Sequence, residues 1–275
     1  MTILIFEAKV RKFFVILQRI WMKTMFNFLN NKKMKKFAKV IALAVLMICG
    51  GQAMAQQTRG ALMLGASFPM KDFAAFEADD FALATDGDEA GAAVGFNLGF
   101  KWYFNVGVPG LGVMLSVDGL YNGLNDVAKS FYKDRQNALD LLGTNAGMTT
   151  SKYFNVPAML GVNYIYRINP SFAVYVEAGA GGNARFITNY QEKYTDLLGG
   201  KHNAEVSYKT TFGFAWQVGA GIEVAKNLLI GASFYNLGET PVSAEKTGDI
   251  LLTPMPYDDA SIRPMVIMGR IGFSF

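Results

Sequence analysis

Cysteine is almost absent: the 275 residues hold one, Cys49. A lone thiol staples nothing, so no disulfide framework organises the chain. Histidine is as scarce, and any imidazole chemistry must run through His202. Beyond residue 55 there is no uninterrupted apolar stretch of about 18 residues, which excludes a membrane-spanning helix there. The one concentrated apolar run, Val40 to Cys49, has ten residues and is too short to cross a bilayer as a helix. It lies between the basic residues Lys35, Lys36 and Lys39 and the small-residue site Ala53-Met-Ala55. These are the three parts of a secretory signal peptide over residues 34–55, cut before Gln56. Residues 1–33 then read as an over-extended N-terminus ahead of a true start at Met34. Those flanks count against a core helix over the same run. A lipid on Cys49 is disfavoured because Ile48 is bulky for the position before a lipidated cysteine.

Positive charge is also scarce once the leader is set aside. Residues 1–55 carry ten Lys/Arg against Glu7 alone, leaving 16 Lys/Arg against 21 Asp/Glu, a net −5, in residues 56–275. The basic balance of the whole chain belongs to the leader, and nucleic acid is not expected as a partner.

What is abundant is alternation of period two. Val94, Phe96, Leu98, Phe100, Trp102 and Phe104 fall on one face, with Gly95, Asn97, Gly99, Lys101 and Tyr103 on the other. The same pattern predicts eight strands, near 59–68, 92–104, 111–122, 153–166, 172–186, 211–224, 228–237 and 262–275. Most reach the length a tilted strand needs to cross hydrocarbon. Connections near 105–110, 167–171 and 225–227 are short and rich in Gly, Pro or Asn. Those near 69–91, 123–152, 187–210 and 238–261 each exceed twenty residues. Long loops at one end and tight turns at the other predict an all-β fold, an eight-stranded antiparallel up-and-down transmembrane β-barrel over residues 56–275. A soluble sandwich also alternates, but its loops do not sort by length, and only helices and closed barrels satisfy their backbones in lipid. Trp102, Phe104, Tyr164, Tyr166, Phe273 and Phe275 fall near the short-turn ends on the outward phase, where an interfacial aromatic girdle sits.

The inward phase contains Asn97, Lys101, Asp118, Asn163, Glu177, Gln217, Glu223 and Arg270. Eight strands leave a lumen just wide enough to be filled by side chains. Buried charges must pair, so Lys101, Asp118, Glu177 and Arg270, at comparable heights, are expected to form a structural ion network, with Glu223 nearer the periplasm. A narrow proton or ion path is the alternative role for the same groups. Gly179, Gly181, Gly219 and Gly221 share this phase. A phosphate cradle needs a strand followed by a helix, so small residues giving room to bulky neighbours is the better reading.

The first long loop gathers Asp72, Glu77, Asp79, Asp80, Asp86, Asp88 and Glu89 against Lys71, a net −6. It lacks calcium-loop spacing, so a solvated acidic face is preferred to a metal site. In the second loop, Leu124, Val127, Phe131, Ala138, Leu139 and Leu142 recur at helical spacing between a cap at Asn125 or Asp126 and a stop at Gly143. Such a helix is read as simple loop packing, ahead of a lid over the mouth or a helix on the membrane surface. Tyr190, Tyr194, Tyr208 and Tyr257 suit recognition of an unidentified extracellular partner. His202, Ser207 and Glu205 are the only hydrolase-like grouping, and a loop is a poor place to reach lipid. No catalytic, metal or cofactor-binding residue is assigned.

The closing segment Met268-Gly-Arg-Ile-Gly-Phe-Ser-Phe275 resembles the C-terminal strand of bacterial outer-membrane barrels, in which a terminal aromatic, here Phe275, is the assembly signal. Tyr153-Phe-Asn-Val-Pro-Ala-Met-Leu160 looks like a proline-containing strand of barrels common in Bacteroidota, including PorT-like proteins. Residues 56–275 resemble the small porin-family barrels, the OmpA-type transmembrane domains and OmpX among them. This resemblance implies the outer membrane of a Gram-negative bacterium and both termini in the periplasm. It implies outer-membrane lipid, lipopolysaccharide and the barrel assembly machinery as partners. The expected function is non-enzymatic, a structural or surface-interaction role. A narrow porin-like channel for ions or small solutes is the second reading and a lipid A-modifying enzyme the third.

Overall fold

Side chains that alternate between greasy and small or polar satisfy two environments only as strands, and this chain does so around a closed wall. The computed structural model describes residues 58–76, 89–248 and 261–275. In chain order its strands are β1 (Thr58–Met70), β2 (Gly95–Asn105), β3 (Leu111–Asn122), β4 (Gly143–Thr149), β5 (Tyr153–Asn169), β6 (Phe172–Ile187) and β7 (Tyr190–Asp196). They continue with β8 (Lys201–Tyr208), β9 (Thr211–Val224), β10 (Leu228–Asn236), β11 (Thr240–Pro241), β12 (Ala244–Thr247), β13 (Ser261–Ile262) and β14 (Met265–Ser274). One helix, α1 (Asp126–Leu142), lies between β3 and β4. The leader assigned to 1–55 lies outside the described residues.

β1, β2, β3, β5, β6, β9, β10 and β14 form a closed barrel in meander order, each pairing antiparallel with its neighbours. The fold is the eight-stranded antiparallel up-and-down barrel expected from the alternation. Closure falls between β1 and β14, where Gly65 faces Arg270 and Met63 faces Gly272. The last residue completes the seam: Phe275 and Gly60 exchange backbone hydrogen bonds of 2.9 and 3.0 Å.

Two prolines limit the strand pairing for one physical reason, the missing N–H. Ile262 leaves the last barrel strand and pairs with Thr240 in the small β11–β13 ladder, because Pro264 supplies no N–H to carry β14 further. Pro157 stays inside β5 but interrupts its ladder with β3. Pairing runs to Val117–Ala158 and resumes at Leu120–Asn155, while the β6 side continues through Pro157–Asn183. The turn from β9 to β10 places Ala225 and Lys226 both in the left-handed region, at φ 51° and 67°. That geometry suits a tight hairpin and is costly without glycine. Bonds from Ala225 N to Ser171 O (2.8 Å) and from Arg59 Nη2 to Lys226 O (2.9 Å) hold it in place.

The outward phase is apolar and bare: Leu64, Phe96, Leu160, Val162, Phe212, Phe214 and Ile271 are all exposed, the surface a lipid-facing band requires. Inside, Ala61, Met63, Tyr103, Met114, Tyr175 and Leu229 form an apolar layer toward the short-turn end. A larger cluster runs from lumenal Leu120, Met159, Tyr235 and Met268 to Phe73, Phe76, Phe131 and Tyr208 beyond the mouth.

Besides the helix expected in the second long loop, the described parts of the long loops hold strands that the sequence reading did not place. β12, β8, β7 and β4 form a four-stranded antiparallel sheet at the loop end. α1 begins as expected, with Asn125 Oδ1 accepting from Ala128 N at 2.8 Å. Its buried stripe is Ala128, Phe131, Tyr132, Arg135 and Leu139, so Val127, read as part of the apolar face, stands exposed while an arginine is enclosed. Gly143 does not close the helix in a left-handed turn. At φ −176° it is extended and opens β4.

Candidate functional site: the filled lumen and the folded loop end

Alternation sends Lys101 of β2, Asp118 of β3, Glu177 of β6 and Arg270 of β14 inward, each with a side chain no more than 1 % exposed. The structure brings all four together. Lys101 Nζ donates to Glu177 Oε1. Arg270 lies between the two carboxylates, with Nη1 2.9 Å from Asp118 Oδ1 and Nη2 3.4 Å from Glu177 Oε1. β10 adds further polar contacts. Tyr235 OH donates to Asp118 Oδ2 at 2.8 Å, and Ser233 Oγ accepts from Arg270 Nη2 at 2.7 Å. Two cations thus face two anions in an enclosed space, and the hydrogen bonds fix their geometry, as a buried ionic cluster requires.

Room for the two carboxylates comes from glycines on the facing strand. Asp118 stands opposite Gly99, Glu177 opposite Gly219, and Arg270 opposite Gly65 and Gly231. A Cβ on Gly99 would stand 1.8 Å from Asp118 Oδ1, and one on Gly219 2.9 Å from Glu177 Oε1. Tyr175 lies over Gly221 and Gly231, where added Cβ atoms would meet its hydroxyl at 2.5 and 2.3 Å. Gly181 differs, since its Cβ would strike the Ala158 carbonyl of the adjoining strand.

Glu223 is not part of this network. It is buried at the short-turn end, where Arg59 Nη1 donates to Oε2 and Arg167 Nη1 lies 3.1 Å from Oε1. Neither arginine was singled out from sequence. Both continue the inward phase of their strands past the expected core, which is the signal that finds them. At the opposite end of the lumen, buried Arg185 donates to the carbonyls of Ile262 (2.8 Å) and Gly238 (2.9 Å), fastening the last long loop to the barrel wall.

The model of the family described as outer membrane protein beta-barrel domain matches residues 41–242. The chain belongs to that family. It is therefore an outer-membrane protein. No curated protein matches it. Among solved structures it is similar to Ail, the attachment invasion locus protein of Yersinia pestis, at 15 % identity over 80 % of this chain and 100 % of that one, with a TM-score of 0.35. It is similar to OprG from Pseudomonas aeruginosa at 13 % identity over 80 % and 97 %, with a TM-score of 0.41. It is also similar to the outer membrane enzyme PagL, at 11 % over 79 % and 98 %, with a TM-score of 0.31. Likeness at this level says nothing about what this barrel does.

The loop end of this outer-membrane barrel has a polar centre of its own. Arg135 of α1 and Glu192 of β7 are enclosed together, Nε to Oε1 2.6 Å, with Tyr190 OH accepting from the same Nε at 2.9 Å. Burial pushes the Tyr190 hydroxyl well above its ordinary range.

His202, Ser207 and Glu205 do not assemble as a hydrolase. All three lie on β8, and alternation puts His202 with Ala204, Val206 and Tyr208 on one face, with Glu205 and Ser207 on the other. His202 instead stacks on Tyr194, centroids 4.6 Å apart, and its Nε2 lies 3.0 Å from Asp196 Oδ2. Asp196 Oδ1 also accepts from Leu198 N and Gly200 N, each at 2.8 Å, and so ties the β7–β8 turn. Of the acidic first loop, Glu77, Asp79, Asp80, Asp86 and Asp88 lie outside the described residues, as does Tyr257.

The hydrogen bond with His202, followed by those from the turn amides, lowers the Asp196 carboxyl below its ordinary range. A lowered carboxyl stabilises the turn fully above the unfolded aspartate value of about 4, and that stabilisation is lost as pH falls through the lowered folded value. The side-chain carboxyl carbon of Asp196, followed by NMR, should therefore show its own titration step only below about 4. A carboxyl step at about 4 or above would mean that the turn does not hold this carboxylate ionised.

Proposed function

We propose that this outer-membrane barrel is non-conducting and non-enzymatic, a scaffold that holds a folded loop end at the cell surface in a structural or surface-interaction role. The observation that carries this reading is the filled lumen. The ion network of Lys101, Asp118, Glu177 and Arg270 crosses it, with an apolar layer toward the short turns and an apolar cluster running out through the mouth. A cavity of about 10 Å³ among Arg59, Tyr103, Asn163, Ile165, Tyr175 and Leu229 has room for about one water. In this reading the loops face outward, both termini are periplasmic and the leader is cleaved. Lipid and lipopolysaccharide surround the wall, and the barrel assembly machinery reads β14 and Phe275. The separation of His202 from Ser207 and Glu205 favours a non-enzymatic role.

Single-channel recording of the refolded 56–275 chain in a planar bilayer tests the reading, with folding verified by a heat-dependent gel shift. The expected result is silence from a folded barrel. Steady, discrete openings would place the narrow porin-like channel first. Mass spectrometry of lipid A from producing cells should show no change in acylation, and a lost or transferred chain would restore the enzyme reading.

A further inference from the structure

The short-turn end of the closure seam is clasped from both sides of the wall. On the lipid side, a Cβ on Gly60 of β1 would stand 2.9 Å from Phe275 Cε2 and 3.3 Å from Phe100 Cζ. The Phe275 ring therefore lies over Gly60, beside Phe100, and covers the Gly60–Phe275 backbone pair. On the lumen side stands Arg59, whose guanidinium reaches three segments at once. Nη1 donates to Glu223 Oε2 of β9. Nη2 donates to Ser274 Oγ of β14 and, at 2.9 Å, to Lys226 O in the β9–β10 turn. The Ser274 hydroxyl lies 3.3 Å from the carbonyls of both Lys226 and Asn227. First strand, last strand and hairpin turn thus meet at one side chain.

That turn is strained. Ala225 and Lys226 both take positive φ, 51° and 67°, with a Cβ at each position. Two-residue hairpins of this kind favour Asn-Gly, because glycine escapes the steric cost of the left-handed region. The turn's own closing bond is long, Asn227 N to Val224 O at 3.3 Å. Such a conformation persists only where its surroundings over-determine it. Ala225 N donates to Ser171 O in the neighbouring short turn at 2.8 Å. β14 ties Asn227, one residue beyond the strained pair, through Ser274 N to Asn227 O (2.8 Å) and Asn227 Nδ2 to Ser274 O (2.6 Å). Lys226 itself is held by Arg59, which belongs to β1, and β1 is a neighbour of β14 but not of β9 or β10. Arg59 reaches the turn across Ser274, so its bonds exist only once β1 lies beside β14.

We propose that Arg59 is the closure latch of this barrel, a positioning residue that makes sealing of the β1–β14 seam and fixing of the strained β9–β10 turn one event. While the seam is open, Lys226 O lacks its guanidinium, Glu223 keeps only Arg167, and the turn relaxes. When β1 docks on β14, one planar fork serves the Glu223 carboxylate, the Ser274 hydroxyl and the Lys226 carbonyl together. Its bonds are charge-assisted and so stronger than neutral ones. Glu223, enclosed between Arg59 and Arg167, sets the direction of the fork and leaves Nη2 aimed at the turn. Strain gives the latch its use, since a relaxed Asn-Gly turn would hold its shape with the seam open or shut. An open seam presents two unpaired edges, each a template for pairing with another chain. Coupling the seam to the turn makes opening cost both at once and keeps the wall shut. The latch is independent of whether the lumen conducts and of what the loops meet.

The protein, extracted folded from outer membranes and placed in phosphatidylcholine vesicles, is followed by hydrogen exchange with mass spectrometry, each variant verified as folded by its gel shift. In Arg59→Ala, protection should fall together at the two seam ends, 59–62 and 272–275, and at the turn, 224–228. The fall should be about tenfold or more, the scale of losing hydrogen bonds from a charged group, while β5 and β6 keep parental protection. Ala225→Asn with Lys226→Gly removes the strain. Added to Arg59→Ala, this pair should return the turn to parental protection and recover part of the seam. Glu223→Gln still offers an acceptor to Nη1 and should leave the turn protected. A loss in Glu223→Gln equal to that in Arg59→Ala would assign the effect to the ion pair alone. A turn that loosens without the seam, or a turn that Asn-Gly does not rescue, would mean that the two are not coupled. Each of these results overturns the proposal. If Arg59→Ala does not assemble, the same change on the Asn-Gly turn should, and failure of both overturns it equally.

Discussion

Arg270→Ala should lower barrel stability by about 3–5 kcal/mol, the range for breaking a buried ion pair by removing one partner. Arg270 stands between Asp118 and Glu177, and both side chains are fully enclosed. Lys101 stays with Glu177, so the deletion leaves Asp118 with Tyr235 as its remaining partner in the network. With a urea dependence of roughly 1–3 kcal/mol per molar, the unfolding midpoint in vesicles should fall by at least about 1 M, followed by the loss of the fast-migrating folded form on gels. Adding Asp118→Asn to Arg270→Met restores electrical balance and should recover most of the loss. This follows because the penalty comes mainly from the uncompensated charge rather than from a missing attraction. An unchanged midpoint in Arg270→Ala would mean that water reaches the network and screens it, and the filled-lumen reading would fall with it.

The parts legible in the sequence are those where one physical requirement dominates. A strand between lipid and lumen must alternate, so Val94 to Phe104 announces β2 unaided, and inward Lys101, Asp118, Glu177 and Arg270 could be assigned to one layer by counting from the turns. The facing glycines followed the same logic, although which glycine faces which charge depends on register, which becomes visible only once Gly99–Asp118 and Gly219–Glu177 are paired. Arg59 and Arg167 escaped because they sit at strand ends, where an arginine reads as an ordinary solvated residue. The loop-end sheet escaped for a different reason. In Tyr190-Gln-Glu-Lys-Tyr-Thr-Asp196 polar residues occupy both phases, and the enclosed Glu192 breaks the apolar alternation that marks a half-buried strand. Its partner, Arg135, breaks the helical stripe of α1 in the same way. Each looks solvated when read alone, and only the pairing of one with the other makes either position a buried one.

That mutual dependence sets the second large effect. Arg135→Ala should release the loop end while leaving the barrel intact. It removes the guanidinium from Glu192 and leaves that enclosed carboxylate with Tyr190 OH, a local cost again of about 3–5 kcal/mol. α1, β4, β7 and β8 join the barrel through loops and the apolar cluster at the mouth, whereas the eight wall strands close on one another. The cost should therefore appear as local opening rather than as global unfolding. Hydrogen exchange across 126–149 and 190–208 should quicken by about a hundredfold or more, since every 1.4 kcal/mol is a factor of ten. The urea midpoint of the barrel and its gel shift should stay at the parental values. Arg135→Met combined with Glu192→Leu and Tyr190→Phe should restore slow exchange, because an apolar set of similar size leaves neither a charge nor a hydroxyl to solvate. A fall in the barrel midpoint with Arg135→Ala would show that cap and wall unfold as one.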